Sequence, residues 1–187
     1  MGKFAFTPLA LSGLVQVEPT VFGDARGYFL ETYNRTEFEA AGIPHTFVQD
    51  NESMSRRGVV RGLHFQTKHA QAKLVRAIVG EVLDVVLDIR RDSPSFGKHA
   101  SVLLTAENKR QLFVPEGFAH GFAVLSETAV FSYKCADFYA PQYEASIFCC
   151  DPSLGIDWGM AAGEMILSEK DRRGMSFAEF CGSGINL

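Results

Sequence analysis

Three apolar segments of the chain each carry one polar side chain whose type could do chemistry. His64 lies between Leu63 and Phe65, Lys73 begins the next apolar stretch, and Tyr133 follows Phe131 in a later one. An imidazole can transfer a proton or bind a metal. A buried ammonium needs an anion or an enolate to offset its charge, and a buried phenol needs a hydrogen-bond partner. Taken singly, such a histidine or tyrosine is more often a core residue, so these residues indicate a site only if they lie together.

The histidines and cysteines lack the spacing of a metal centre. A metal-binding barrel usually presents His-x-His or three ligands on neighbouring strands, and the chain contains no His-x-His. Its cysteines form neither a C-x-x-C pair nor a spaced framework, which argues against a zinc site and a disulfide scaffold: Cys135, Cys149, Cys150 and Cys181. We expect reduced thiols of a cytoplasmic protein, no metal and no cofactor. The adjacent Cys149 and Cys150 are interpreted as small packed residues rather than a redox pair.

The bulk composition restricts the class of protein. A chain of 187 residues can bury one core and does not require a second domain, so we expect a single domain over residues 1–187. The formal net charge of −4 provides no positive field for nucleic acid. No apolar run has the length of a membrane span. An anionic small molecule would therefore be bound by a few local cations, and neither nucleic acid nor membrane is an expected partner.

The hydrophobic pattern is that of an all-β protein. Short runs of Val, Ile, Leu and Phe are separated by Gly or Pro, without the alternation of strand and helix that βαβ units show. Predicted strands are 27–33, 46–52, 59–66, 73–79, 82–89, 100–104, 118–125 and 129–135. A capping box of Thr36 and Glu39 predicts a short helix that stops at Gly42, and a weaker helix is predicted at 176–180. So many strands indicate a jelly roll or barrel with a few short peripheral helices.

Strand alternation makes two further predictions about which side chains share a face. Arg61 and His64 would point to opposite faces of a regular strand, so a shared site requires a bulge at Gly62. In the strand 82–89, Asp84 and Asp88 share one face with two valines. That face could line a wet interior that binds a ligand, or it could face solvent; the pattern favours neither alternative.

These segments, taken with others in the same order, closely resemble the dTDP-4-dehydrorhamnose 3,5-epimerase family. The resemblance runs from about Val21 to Asp171, and the segments that carry it, besides those around His64, Lys73, His120 and Tyr133, are residues 21–27, 49–53, 90–97, 151–158 and 167–171. It implies a metal-free, cupin-like jelly-roll barrel that works as a homodimer. The chain departs from the family after Glu144, where residues 145–150 read Ala-Ser-Ile-Phe-Cys-Cys and the family is usually more polar.

The resemblance also implies roles for individual residues. His64 matches the general base, Asp171 its partner and Tyr133 the general acid, with Lys73 near the keto oxygen of the sugar. Substrate-contacting positions are matched by Arg26, Glu31, Gln49, Asn51, Arg61, His120, Glu144 and Lys170. Phe29 and Tyr139 are aromatic candidates for stacking on thymine.

The implied reaction is inversion of carbons 3 and 5 of a dTDP-4-keto-6-deoxyhexose through an enolate, in dTDP-L-rhamnose biosynthesis. Both carbons flank the ketone, so one base, one enolate stabiliser and one acid suffice. The alternatives are a monoepimerase that inverts only one carbon, and a non-catalytic sugar-binding barrel. A metal-dependent cupin isomerase or dioxygenase is disfavoured because His-x-His is missing.

Overall fold

Two antiparallel β-sheets form the body of the protein. The computed structural model describes residues 2–187. The strands there are β1 (Phe4–Pro8), β2 (Val15–Pro19), β3 (Phe22–Asp24), β4 (Gly27–Phe29), β5 (Gln49–Arg56), β6 (Val60–Gln66), β7 (Lys73–Val79), β8 (Glu81–Asp88), β9 (His99–Thr105), β10 (Gln111–Val114), β11 (Phe118–Val124), β12 (Thr128–Cys135) and β13 (Glu144–Ser146). The helices are α1 (Arg35–Ala40), α2 (Glu169–Arg172) and α3 (Phe177–Gly182), with 3-10 turns at Pro141–Tyr143 and Ala162–Glu164.

The order of strands in the sheets differs from their order in the sequence. One sheet has six strands in the order β1-β2-β10-β7-β12-β5, and the other has five in the order β13-β6-β11-β8-β9. Strands β3 and β4 form a separate hairpin. Antiparallel sheets connected by such crossovers form a jelly roll, and the predicted cupin-like jelly-roll fold is confirmed.

The main core lies between the two sheets. Val75 of β7 and Phe131 of β12 belong to the same buried cluster as Val86 of β8 and Phe122 of β11. A second cluster covers the outer face of the five-stranded sheet, where Trp158 and Phe180 pack against strand residues. The five-stranded sheet is therefore buried on both faces over much of its area.

Because the five-stranded sheet is buried on both faces, the side chains on both faces of its strand β8 are interior. Asp84 and Asp88 are both fully buried, as are Val82 and Val86 beside them, so the solvent-facing alternative is wrong. Of the two acids, Asp84 lies beside the cavity described below, whereas Asp88 accepts hydrogen bonds from Arg90 and from the serines of the following turn. The face of β8 that carries Asp84 and Asp88 is therefore interior, as one of the two alternatives predicted. Only Asp84 lies next to the cavity.

Several predicted elements are corrected by the structure. The strand expected at 27–33 ends at Phe29, and the strand expected at 46–52 runs instead from Gln49 to Arg56. The N-cap of α1 is Asn34, whose side chain accepts a hydrogen bond from Glu37 N, and not Thr36. Asn34 is an equally good cap, and Glu39 instead pairs with Arg35 in an i,i+4 contact. The predicted C-terminal helix is present as α3, and Ser176 and Glu179 form its capping box.

Other features concern the chain as a whole. No helix in residues 2–187 is long and apolar enough to cross a membrane. All four cysteines are free thiols, and Cys135 and Cys149 are buried.

Candidate active site

A cavity of about 350 Å³ opens between the two sheets. Its walls include nine of the residues predicted for the site: Gln49, Asn51, Arg61, His64, Lys73, His120, Tyr133, Tyr139 and Glu144. Six strands and the segment before β13 supply these side chains. Residues far apart in the sequence therefore meet in one polar cavity of a size that suits a small ligand.

His64 is held by a buried carboxylate. Its Nε2 lies 2.6 Å from Asp171 Oδ1, and the Asp171 side chain is only 5% exposed. Ser168 Oγ and the backbone N–H of Gly62 also donate to this carboxylate. Burial alone would raise the pKa of Asp171, but these hydrogen bonds outweigh it and lower the pKa to about 2. Asp171 is thus ionised at neutral pH, fixes the ring orientation of His64, and can stabilise an imidazolium.

Helix α2 explains why Asp171 reaches the site. Ser168 is the N-cap of this short helix, and its Oγ accepts a hydrogen bond from Asp171 N while donating to the Asp171 carboxylate. The cap therefore fixes both the backbone and the side chain of Asp171. Asp171 is not part of the cavity wall, so its carboxylate meets the site through His64.

A bulge in β6 brings Arg61 and His64 to the same cavity. Arg61 pairs with Phe122 and His64 with His120, so Gly62 and Leu63 together stand opposite the single residue Gly121. The extra residue reverses the alternation between Arg61 and His64, and the predicted bulge at Gly62 is confirmed. The Arg61 guanidinium donates to Ser55 Oγ at 2.9 and 3.2 Å.

Lys73 and Tyr133 lie on the opposite sheet from His64. They occupy neighbouring strands, since Cys135 pairs with Lys73 and Tyr133 with Val75. Burial lowers the pKa of the Lys73 ammonium, because its charged form loses hydration, while nearby acidic groups oppose the shift. Burial raises the pKa of Tyr133, so its phenol stays protonated at neutral pH. The cavity thus has an imidazole on one wall and a phenol and an ammonium on the other.

A second histidine–carboxylate pair lines the cavity. His120 Nε2 lies 3.0 and 2.9 Å from the two carboxylate oxygens of Asp84, and both side chains are buried. His120 is also the register partner of His64 across β6 and β11. The two imidazoles therefore stand side by side on the same sheet, each tied to its own aspartate.

The rim of the cavity is a network of polar side chains. Glu144 accepts a hydrogen bond from Tyr139 Oη at 2.5 Å and pairs with Lys170 Nζ at 2.5 Å. Burial favours protonation of Glu144, but these two partners lower its pKa overall. Gln49 accepts from the backbone of Tyr139 and donates to Asn51. Lys170 thus lies at the rim rather than in the cavity wall.

Three of the predicted contact residues lie away from this cavity. Arg26 and Phe29 belong to the exposed β3–β4 hairpin, where they line a separate shallow depression, and Arg26 pairs with Asp24. Glu31 pairs with Lys3 at 3.1 Å. Within one chain the structure does not bring these three side chains to the cavity.

Sequence reasoning missed three supporting residues: Asp84 as the partner of His120, Ser168 as the partner of Asp171, and Ser55 as the partner of Arg61. Asp84 had a visible signal, a charged residue in an apolar strand, but no pattern showed which polar side chain it contacts. Ser168 precedes the acidic first turn of α2, which is the usual signature of an N-cap. Ser55 has no signal in the sequence.

The sequence comparisons agree with this site. The family profile described as dTDP-4-dehydrorhamnose 3,5-epimerase matches residues 8–179. A protein of that description from Pseudomonas aeruginosa is 56% identical over 174 residues, which cover 92% of this chain and 96% of the relative.

Solved structures show the same fold. A dTDP-4-dehydrorhamnose 3,5-epimerase from Elizabethkingia anophelis NUHP1 superposes with a TM-score of 0.91 at 51% identity, covering 95% of this chain and 98% of that one. A dTDP-6-deoxy-D-glucose-3,5-epimerase from Legionella pneumophila, in complex with dTDP-4-keto-L-rhamnose, gives 0.90 at 45% identity, with 95% and 96% covered. The chain therefore belongs to the dTDP-4-dehydrorhamnose 3,5-epimerase family of sugar-nucleotide epimerases.

Proposed function

We propose that this chain inverts carbons 3 and 5 of dTDP-4-keto-6-deoxy-D-glucose, as a step of dTDP-L-rhamnose biosynthesis. The observation that carries the proposal is the position of His64 and Tyr133 on opposite sheets, across one cavity. Inversion of a carbon requires proton removal from one face and proton delivery to the other. A single-walled site could not do both without turning the sugar over.

In this mechanism His64 is the general base. Asp171 binds Nε2, which leaves Nδ1 to take the proton from the carbon next to the ketone. The imidazolium that forms faces an ionised carboxylate that needs no rearrangement. Asp171 therefore acts through His64 and does not itself touch the substrate.

Lys73 stabilises the enolate, and Tyr133 returns a proton to the opposite face. The lowered pKa of Lys73 makes its ammonium a better donor to the developing oxygen anion. Tyr133 stays protonated until the enolate needs it, because burial raises its pKa. Carbons 3 and 5 flank the same ketone, so the same three groups serve both centres once the sugar has moved between steps.

The other polar residues of the cavity supply binding contacts. We assign Arg61 and Lys170 to the diphosphate, since guanidinium and ammonium groups suit phosphate oxygens. Tyr139 at the rim is the candidate for stacking on thymine. Gln49, Asn51, His120 and Glu144 complete the polar lining.

We further propose a cytoplasmic homodimer in which Arg26 and Phe29 serve the neighbouring subunit. Arg26 matches a substrate-contacting position of the family and Phe29 is a candidate for stacking on thymine, yet both lie on a hairpin away from their own cavity. The hairpin exposes three large apolar side chains, Phe22, Tyr28 and Phe29, at more than half of their area each. A hairpin of this kind can deliver the two residues to a second cavity.

Proton NMR in deuterated water tests the proposal, because it follows exchange at each carbon separately. With dTDP-4-keto-6-deoxy-D-glucose as substrate, we expect deuterium at both carbon 3 and carbon 5, together with epimerised product. Exchange at one carbon only would make the chain a monoepimerase. Binding without any exchange would make it a sugar-binding barrel.

A further inference from the structure

Three sulfur atoms lie together behind the active site, in the layer that covers the outer face of the five-stranded sheet. Cys149 Sγ lies 3.8 Å from Cys150 Sγ, and Cys150 Sγ lies 3.6 Å from Met165 Sδ. Cys149 is 1% exposed, while Cys150 and Met165 are half-buried. The proposed epimerase chemistry uses none of them.

Cys150 Sγ lies at the spacing of two ligands of one metal ion from each of the other two sulfurs. Metal–sulfur bonds of about 2.3 Å place the sulfurs of a three-coordinate site about 4 Å apart, and those of a tetrahedral site slightly closer. The two measured separations lie close to these values. Cys150 can therefore share one ion with Cys149 on one side and with Met165 on the other.

The backbone holds the sulfurs in place. Trp158 Nε1 donates to the carbonyl of Cys149 at 2.8 Å. The residue after Met165, Ile166, is tied to the start of β6 by Ile166 N to Gly58 O at 2.8 Å and Val60 N to Ile166 O at 3.1 Å. Both ligand-bearing segments are thus fixed on the same sheet before any ion arrives, which reduces the entropy lost on binding.

The donor set selects a soft ion of low coordination number. Zinc requires four ligands, commonly from Cys, His and carboxylates. Within residues 2–187 no group of three or more His, Cys, Asp or Glu side chains is placed to hold a metal. Two thiolates and a thioether are ligands that Cu(I) prefers.

We propose that Cys149, Cys150 and Met165 form a binding site for one Cu(I) ion, separate from the catalytic cavity. On binding, the two thiols lose their protons to solvent, two copper–thiolate bonds form, and the Met165 thioether adds as a third ligand. Copper stays in the +1 state throughout, so no oxidant or reductant is consumed. Cys150, being half-buried, provides the route of entry.

Competition against a chromogenic Cu(I) chelator under anaerobic, reducing conditions tests the site on the full chain. We expect one Cu(I) per chain, counted by native mass spectrometry. Removing a residue that binds the ion directly should weaken the Cu(I) affinity at least as much as removing a residue that only supports a ligand. Cys150→Ser should therefore weaken the affinity about 100-fold or more. Met165→Leu, which keeps the volume, should weaken it about 10-fold.

The matched control is Cys181→Ser, which removes an exposed thiol away from the cluster. Its copper affinity should equal that of the parent chain. X-ray absorption of the loaded parent chain should show sulfur-only ligation at about 2.3 Å. The proposal fails if the parent chain cannot compete with the chelator, if Cys150→Ser keeps its affinity, or if Cys181→Ser loses it. Thermal unfolding of each copper-free variant checks that a lost affinity does not reflect a lost fold.

Discussion

At the scale of single residues, the two proposed proton-transfer groups have opposite surroundings. His64 touches an ionised carboxylate that three donors hold in place, whereas Tyr133 lies in a wall where burial favours the neutral phenol. Burial keeps Tyr133 as a protonated phenol, and the Asp171 carboxylate fixes the ring of His64 and can stabilise an imidazolium once it forms. Variants of the two should fail at different steps.

Replacing His64 and Tyr133 separately tests whether the two side chains act at different steps. His64→Ala removes the base, so it should abolish both deuterium exchange into the substrate and formation of epimer. Tyr133→Phe keeps the ring and removes only the proton, so it should retain exchange from the His64 face and accumulate little epimer. Proton NMR in deuterated water measures both quantities. Complete loss of exchange in both variants would contradict the assignment.

Lys73 offers a test of transition-state stabilisation. In the proposed mechanism its ammonium faces a neutral ketone in the bound substrate and an anionic oxygen during proton removal. Lys73→Met should therefore lower kcat by about 100-fold or more, the cost of one oxyanion donor, with a smaller change in KM. Steady-state kinetics measure the two separately.

Arg61→Met is the comparison variant for Lys73. A diphosphate contact is the same in the ground state and the transition state, so this change should raise KM and leave kcat nearly intact. If Lys73→Met raised only KM, Lys73 would be a phosphate ligand and not a catalytic residue.

At the scale of elements, the bulge in β6 decides whether the site exists. Gly62 has φ +130, and a Cβ there would lie 2.5 Å from Gly121 Cα and 2.9 Å from His120 O. Only glycine allows β6 and β11 to approach so closely while Arg61 and His64 both face the cavity.

Gly62→Ala should therefore destabilise the fold by at least about 2 kcal/mol, because it adds backbone strain and a clash with a neighbouring strand. Gly182→Ala is a suitable control, since nothing lies within 4 Å of its added Cβ. That change should stay within about 0.5 kcal/mol of the parent. Denaturant unfolding of the two variants measures the difference, and equal stability would show that the bulge tolerates a side chain.

Elements differed in how well the sequence predicted them, for physical reasons. Strands β6, β7, β8, β9, β11 and β12 were found within a residue or two because each has seven or eight residues and is rich in Val, Leu, Ile, Ala or Phe. The missed strands β1, β2 and β10 are short, and β3 and β13 have only three residues, so no alternating pattern can build up. The capping error at α1 arose because Asn34 and Thr36 are both good N-caps, and propensity alone cannot rank them.

Site residues were predictable where a family motif named them, and much less so from spacing. The local prediction that bears most directly on the site, the bulge at Gly62, succeeded because a shared position for Arg61 and His64 required it. Asp84 and Ser55 could not be paired with His120 and Arg61, because those contacts form across strands whose register the sequence does not state.

At the scale of the whole molecule, the hairpin β3–β4 makes a prediction about hybrid dimers. Arg26→Ala would damage the neighbouring cavity, whereas Tyr133→Phe damages its own. When the two inactive proteins are mixed and allowed to reassemble, they should form hybrid dimers in which one of the two cavities is intact. Random pairing makes half of the dimers hybrids, so activity should return to about a quarter of the parent value.

The control is a double variant that carries both changes on one chain, mixed with Tyr133→Phe. That mixture has no cavity with both groups intact and should stay inactive. No recovery in the test mixture would mean that Arg26 serves its own subunit.

The interleaved strand order also constrains how the chain can be made. Strand β10 lies between β2 and β7, and β5 pairs only with β12. The earlier strands of the six-stranded sheet, β2, β5 and β7, therefore each lack at least one neighbour until residues 111–135 are present. On a ribosome, strands β5, β6 and β7 emerge before any of their final neighbours has been synthesised, and β8 has only β9 as a partner until β11 follows. The growing chain must carry several apolar strands without partners through most of translation. We expect productive assembly late in synthesis, with molecular chaperones protecting the exposed strands until β12 is released.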